Sequence, residues 1–307
     1  MIALLAPGQG SQTPGMLTPW LDDEAATESL ARWSDAIGLD LRRLGTTADA
    51  DEIRDTAVTQ PLIVAASLLA AARLAEHLPA TAPTAGHSVG ELASACIAGV
   101  LAPDDAVAFT AVRGREMAAA CAAEPTGMSA VLGGDPDDVL AVLDKLGLEP
   151  ANRNAAGQVV AAGPLDALAA LAETPPEGAR VRPLQVAGAF HTRFMAPAED
   201  ALRAHATSVA PADPTRPWLS NADGSVVTRG ADALSRLVAQ VTLPVRWDSC
   251  MATLRELGVT AVIELPPAGA LVGLVKRELK GTATLALKTP DDLDKAVELI
   301  RDHAGAN

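Results

Sequence analysis

Gly86-His87-Ser88-Val89-Gly90 has the Gly-x-Ser-x-Gly pattern of a turn that lifts a nucleophilic serine onto a strand-to-helix bend. A side chain at Gly86 or Gly90 would crowd such a turn, where the serine itself sits in strained backbone. The helix start that follows would point free N–H groups at an anion forming beside Ser88. A serine hydroxyl becomes a nucleophile only when a base takes its proton. Of the five histidines, His77 in a helix tail, His205 among alanines and His303 near the C-terminus read as surface residues. His87, inside the bend, would point away from Ser88. His191 remains, in Gly188-Ala189-Phe190-His191-Thr192, at the return from one lobe into another, where a cleft forms.

Ordinary serine hydrolases supply an Asp or Glu between nucleophile and histidine. Asp137, Asp138 and Asp166 lie in that interval, but within helices or turns of what reads as an insertion, and none is well placed. A backbone carbonyl could orient the imidazole instead, which points away from a standard hydrolase. The loop Pro7-Gly8-Gln9-Gly10-Ser11-Gln12 has the spacing of neither a dinucleotide fingerprint nor a Walker loop. At the carboxyl end of a strand it could bring a backbone N–H near Ser88, and with the Val89 N–H make a two-donor oxyanion hole. Arg113 sits in an otherwise apolar or small stretch, Phe109 to Gly114. It is either solvated, as helical arginines usually are, or a guanidinium gripping a carboxylate with two parallel hydrogen bonds. The sequence chemistry leaves both open.

The elements that must position these residues alternate between strand and helix. Ile2 to Ala6 reads as a buried strand, and Asp22 to Ile37 as a helix. Another helix opens at Thr59-Gln60-Pro61 and runs to about Leu78, with Pro61 in its first turn. Ala82 to Ala85 reads as a strand end before the serine bend, Val89 to Ala98 as a helix capped by Gly99, and Pro103 to Cys121 as the helix carrying Arg113. From about residue 125 the order changes to strand (128–132), helix (136–146), strand (151–154), strand (158–162), helix (165–172) and strand (181–186), a β-α-β-β-α-β unit of ferredoxin-like type. Residues 125–187 therefore read as a small inserted lobe, and residues 1–124 and 188–307 as one large α/β domain. In the second half, helices are expected at 197–206, 231–240, 247–257 and 268–279 and from Asp291. Strands are expected at 218–220, 259–265 and 284–287. The predicted fold is a mostly parallel, helix-covered sheet of α/β-hydrolase-like type plus the small lobe.

Composition narrows the function. The 307 residues are 49% hydrophobic but 2% aromatic, with no tyrosine, so the core is packed with Ala, Val and Leu and offers little for base stacking. A net charge of −14 repels nucleic acid and anionic membranes. Cys96, Cys121 and Cys250 lie far apart and match neither a disulfide framework nor a zinc site, so a reducing cytoplasm is expected. The N-terminus lacks the pattern of a signal peptide, and no apolar run is expected to reach membrane-spanning length without charge, Pro or Gly.

Gly8-Gln9-Gly10-Ser11-Gln12, Gly86-His87-Ser88-Val89-Gly90-Glu91, Arg113-Gly114, Asn154 with Gly157-Gln158-Val159-Val160, Gly188-Ala189-Phe190-His191, and Gln240 ahead of Pro244-Val245-Arg246-Trp247 occur in one order. In this the chain resembles, essentially end to end, the malonyl-CoA:acyl carrier protein transacylases of fatty-acid and polyketide synthesis. The resemblance implies that Ser88 carries malonyl as an ester and that His191 is the base, oriented by a main-chain carbonyl near Gln240. It implies further that Gln9 and Val89 donate to the oxyanion, that Arg113 binds the malonyl carboxylate, and that Gln240 lines the substrate site. Phe190 before the histidine and Val89 in the bend resemble the malonyl-selective form; methylmalonyl-selective relatives tend to have Ser and Gln there. Leu265-Pro266-Pro267-Ala268-Gly269 departs from the Gly-Pro-Gly-like turn usual in the family.

The expected reaction is a two-step exchange from malonyl-CoA to the phosphopantetheine thiol of acyl carrier protein, with no metal or bound cofactor, in a monomer. The alternatives are a serine thioesterase or editing hydrolase, a trans-acting polyketide acyltransferase of different acyl choice, and a non-catalytic carrier-docking module. Because carrier proteins are acidic, a local basic patch is expected, with Arg182, Arg193, Lys276, Arg277 and Lys280 as candidates.

Overall fold

A computed structural model describes residues 1–304. The first half contains β1 (Ile2–Ala6), α1 (Glu24–Ile37), α2 (Leu41–Thr46), α3 (Thr56–Leu74), β2 (Thr84–Gly86), α4 (Gly90–Ile97) and α5 (Pro103–Ala123). There follow β3 (Thr126–Gly133), α6 (Pro136–Lys145), β4 (Glu149–Ala155), β5 (Gln158–Pro164), α7 (Leu165–Glu173) and β6 (Ala179–Pro183). The chain continues through α8 (Ala196–Ala206), β7 (Trp218–Leu219), β8 (Val226–Val227), α9 (Gly230–Ala239), β9 (Val245–Arg246) and α10 (Trp247–Glu256). It ends with β10 (Ala261–Glu264), α11 (Ala270–Glu278), β11 (Ala283–Ala286) and α12 (Leu293–His303).

The architecture is mixed α/β. Six strands form one sheet in the order β11-β10-β1-β2-β7-β8, parallel at every pairing except β7 with β8. All five residues of β1 are buried, and they feed two cores by strict alternation. Ile2, Leu4 and Ala6 pack among the residues of α1, α3, α4 and α5. Ala3 and Leu5 face Trp247, Cys250 and Leu254 of α10 and Leu271 and Val275 of α11. A sheet covered on both faces needs such continuous apolar strands, which is why β1 and β10 read so clearly.

A second sheet has the order β6-β3-β5-β4-β9. Its first four strands pair antiparallel, and Val131, Val159 and Ala161 meet Val139 and Leu143 of α6 and Leu168 and Leu171 of α7. The fifth strand, β9, comes from far along the chain and joins β4 in parallel, Asn152 beside Val245. The small sheet is therefore tied to the segment between α9 and α10.

Several expectations need correction. Helix α3 begins at Thr56, not Thr59, because the Asp55 carboxylate accepts from Ala57 N at 2.8 Å and caps it there. Pro61 consequently lies inside the helix, where it lacks the N–H that would bond the Ala57 carbonyl. By length and composition this helix could cross a membrane, but Pro61 and Arg73 interrupt its apolar run as expected and most of it is buried in the core of the fold. Strand β6 stops at Pro183, short of the expected Val186. His205 is half-buried, its ring centroid 5.7 Å from that of Phe109 in an edge-on arrangement, and its Nε2 is without a partner among the described residues. The helix α2 and the two-residue strands β8 and β9 had no readable period.

Candidate active site

Ser88 sits between the end of β2 and the first residue of α4. The bend is as tight as its glycines imply. A Cβ on Gly86 would lie 2.0 Å from the carbonyl of Gly90, and one on Gly90 would lie 2.3 Å from the Ala6 carbonyl oxygen. Only glycine permits that approach. Ser88 has φ +53° and His191 φ +60°, and among the described residues they alone combine a side chain with left-handed backbone. Such backbone persists only where surroundings over-determine it, typically at reactive sites. Around Ser88, Asn221 does this. Its Oδ1 accepts from Ser88 N at 2.9 Å and its Nδ2 donates to Gly86 O at 2.7 Å. Around His191, Thr192 Oγ1 donates to Ala189 O at 2.6 Å, while Ala189 N donates to Thr126 Oγ1 at 3.1 Å.

Ser88 Oγ lies 2.7 Å from His191 Nε2, and His191 Nδ1 lies 2.9 Å from the main-chain oxygen of Gln240. A carbonyl oxygen can only accept, so the Nδ1 carries the hydrogen and Nε2 presents its lone pair to the hydroxyl. Burial, reinforced by the charge of Arg113 and opposed by the Gln240 carbonyl, pulls the imidazole down to about 3. The ring is thus a neutral base across the physiological range.

Arg113 is 1% exposed on α5. Its Nη1 donates to Gln60 Oε1 at 2.7 Å, and its Nη2 to Gln240 Oε1 at 2.7 Å and to Ser88 Oγ at 3.3 Å. Burial pulls the guanidinium down to about 10, so it stays charged at neutral pH. All three partners are neutral. The buried carboxylate of Glu91 acts on it only through space, from behind Gln240. A desolvated cation held by neutral oxygens is a receptor for an anion.

Gln9 and Val89 meet around the serine turn. Gly8 is packed so closely that a Cβ there would lie 2.8 Å from His87 O, which seats the Gln9 loop against the bend. Neither the Gln9 nor the Val89 N–H has a partner among the described residues, while the next N–H groups, of Gly90 and Glu91, are bonded to His87 O and Ser88 O. Gln9 Nε2 donates to Thr56 Oγ1 at 3.2 Å. Phe190 is buried in the main core directly before His191. His87 turns away from Ser88, with its Nε2 2.8 Å from Asn154 Oδ1 of β4 and its ring edge on Trp247. It thereby links the bend to the second sheet.

Ser88, His191, Arg113 and Gln240 thus converge on one hydroxyl. Gln60, Asn221 and Glu91 complete the cluster, and sequence reasoning gave them no role. Glu91 had one signal, a charge within the alanine-rich start of a helix. Gln60, beside Thr59 at the start of an apolar run, and Asn221, within the turn-like Ser220-Asn221-Ala222-Asp223-Gly224-Ser225, had none. The basic candidates divide. Arg182 and Arg277 line one cleft of about 440 Å³ together with Arg180. Lys276 and Lys280 are exposed at the end of α11. Arg193 instead pairs with Glu149.

Comparison with known proteins places this geometry in a group. The family model described as acyl transferase domain matches residues 4–305. A curated malonyl CoA-acyl carrier protein transacylase of Mycobacterium tuberculosis (strain ATCC 25618 / H37Rv) is 62% identical over 302 residues, 97% of this chain and 100% of that protein. That of Escherichia coli (strain K12) is 34% identical over 310 residues, 97% and 99% of the two chains. The crystal structure of MCAT from Mycobacterium tuberculosis superposes with a TM-score of 0.94 at 62% identity, covering 97% of this chain and 99% of that one. The chain belongs to the acyl transferase family and, within it, to the group of malonyl CoA-acyl carrier protein transacylases.

Proposed function

We propose that this chain transfers a malonyl group from malonyl-CoA to the phosphopantetheine thiol of an acyl carrier protein through a malonyl ester on Ser88. One observation carries the acyl choice: a buried guanidinium, with neutral partners only, donates to the nucleophile itself. An acyl group attached at Ser88 Oγ meets that cation within a few ångströms. A three-carbon dicarboxylic acyl group has its second carboxylate at that reach, and a monocarboxylic acyl group leaves the guanidinium desolvated and unpaired.

In the first step His191 Nε2 takes the Ser88 proton as Oγ attacks the thioester carbonyl. The free N–H groups of Gln9 and Val89 receive the developing oxyanion. The C–S bond breaks and His191 returns the proton to the CoA thiolate. In the second step the carrier thiol enters the same site, gives its proton to His191, and attacks the seryl ester. The Ser88–acyl bond breaks, and His191 reprotonates Oγ. The carbonyl of Gln240 keeps Nδ1–H in place through both steps and stabilises the imidazolium, the task an aspartate has in other serine enzymes. No step needs a metal or a bound cofactor.

We read residues 1–124 and 188–307 as an α/β-hydrolase-like core and residues 125–187 as a ferredoxin-like lobe. The strand order β6-β3-β5-β4, with one helix in each crossover, supports the second assignment. Three unpaired cysteines support a reducing, cytoplasmic setting. The test is incubation with malonyl-CoA, intact-mass measurement, and then addition of pantetheinylated carrier protein. A malonyl adduct on Ser88 that disappears as the carrier gains malonyl is expected. Release of free malonate at the same rate without carrier would instead mean a hydrolase, and absence of any adduct would overturn the catalytic reading.

A further inference from the structure

Glu91 is 1% exposed, yet no cation lies within ion-pair distance of it among the described residues. Its two oxygens are taken by neutral donors. Oε1 accepts from Asn221 N at 2.7 Å, and Oε2 accepts from Gln240 Nε2. Both donors belong to residues that hold reacting groups. Asn221 clamps the serine bend from both ends. Gln240 supplies the carbonyl for His191 and the side-chain oxygen for Arg113.

The two ends of a carboxamide are nearly equal in shape and opposite in hydrogen bonding. A guanidinium only donates, so the end of Gln240 facing Arg113 must be the oxygen. An ionised carboxylate only accepts, so the end facing Glu91 must be the NH₂. The same NH₂ also donates to Ser88 O at 3.0 Å. We propose that Glu91 is a positioning residue, whose carboxylate fixes the orientation of the Gln240 carboxamide and thereby holds Arg113 where the acyl carboxylate meets it. This rests on the reading of Arg113 as the acyl-carboxylate receptor. The indirect arrangement has a use. A direct Glu91–Arg113 pair would occupy the donors a substrate carboxylate needs, whereas one carboxamide in between leaves an attractive field and free donors.

Burial lifts the Glu91 carboxyl to about 7, against hydrogen bonds from Asn221, Gln240 and Ser220 and the attraction of Arg113. The other ionisable group facing it is the buried Cys250 thiol, itself pushed far up, and His191 lies beyond Gln240 as a neutral ring. Below about 7 the carboxyl carries a hydrogen that competes with the Gln240 NH₂, so the anchor weakens as pH falls.

The test compares seryl acylation by malonyl-CoA and by acetyl-CoA in the wild type and in Glu91→Gln, normalised to acylatable sites. The malonyl-to-acetyl ratio of kcat/KM is expected to fall about tenfold, the effect of losing one hydrogen bond to a charged group. In the wild type the ratio rises as pH passes upward through about 7, and in Glu91→Gln it is flat. A merely structural role would lower the number of acylatable sites and leave the ratio and its pH profile unchanged, and a ratio within about twofold of wild type overturns the proposal. Should Glu91→Gln not fold, Glu91→Asp, one methylene shorter, reaches only one donor and is expected to show the same loss of ratio. A wild-type chain that forms no malonyl-serine sinks the reading of Arg113 and Ser88, a result distinct from an unchanged ratio.

Discussion

Arg113 Nη2 donates to Ser88 Oγ across 3.3 Å, so the proposed carboxylate receptor and the proposed nucleophile share a hydrogen bond before substrate arrives. The same nitrogen is held by Gln240 Oε1 at 2.7 Å, a shorter and better contact. Substrate need break only the weaker of the two. In the proposed reaction, once Oγ is an ester oxygen the donor it released is free for the acyl carboxylate, and the guanidinium gains an anionic partner.

Arg113→Ala is therefore expected to lower kcat/KM for malonyl-CoA by about a hundredfold or more, the usual cost of removing one member of a buried charge pair. Acetyl-CoA loading is expected to be spared or improved, because no buried cation is left unpaired. Stopped-flow acylation with the two thioesters checks this, and unchanged malonyl kinetics would remove Arg113 from the carboxylate site.

His191 makes a prediction about stability and pH. Its folded value of about 3 lies below the unfolded value near 6.5, so the unfolded chain binds the extra proton first. The contribution is fully present above about 6.5 and is lost as pH falls toward about 3. Glu91 works in the other direction: its folded value of about 7 exceeds the unfolded 4.5, so stability from it is present below 4.5 and lost as pH rises through 7. In His191→Gln the first dependence disappears. Urea unfolding between pH 4 and 6.5 is expected to show a smaller loss on acidification in that variant than in the wild type, and equal losses would contradict the buried neutral ring.

Asn221→Ala leaves the Ser88 N–H and the Gly86 carbonyl without partners inside the fold. Each orphaned buried group costs about 1–3 kcal/mol, so a destabilisation of about 2–4 kcal/mol is expected, with a slower first acylation step because Oγ is no longer held against Nε2. Chemical denaturation and burst-phase acylation measure the two separately. A variant with wild-type stability and a wild-type burst would mean that the glycines alone hold the bend.

What was legible in the chain follows from what local chemistry can specify. Gly86 and Gly90 announced their turn because only glycine tolerates backbone within 2.3 Å of a Cβ position. His191 emerged because every other histidine had an ordinary place. The alternating cores of β1 were legible because a five-residue apolar run admits few other structures. Gln60 and Asn221 were not legible, since Asn221 sits among turn-forming polar residues and Gln60 at the head of an apolar helix, and neither context gives a sign of which distant group the side chain meets. Asn221 reaches Ser88 across 133 positions and Gln60 reaches Arg113 across 53. The same holds for β9, whose two residues have no period and whose partner β4 lies nearly a hundred residues earlier in the chain.

The last prediction concerns the carrier protein. A chain of net charge −14 repels an acidic partner unless the contact is locally basic. The cleft of about 440 Å³ between the second sheet and α11 is the candidate, with Arg180, Arg182 and Arg277 outnumbering Glu278 on its walls. Arg277 Nη2 is steadied by Gln158 Oε1 at 2.8 Å, so the cation is held over the cleft. Charge reversal of Arg182 and Arg277 together is expected to raise the carrier-protein KM about tenfold at low salt, with the difference shrinking as ionic strength rises, because exposed charges are screened beyond about 10 Å at 0.1 M. Malonyl loading of Ser88 from CoA separates docking from chemistry in the same preparation. If the carrier KM and its salt dependence stay at wild-type values, the acidic partner docks elsewhere, and Lys276 and Lys280 at the end of α11 become the next pair to reverse.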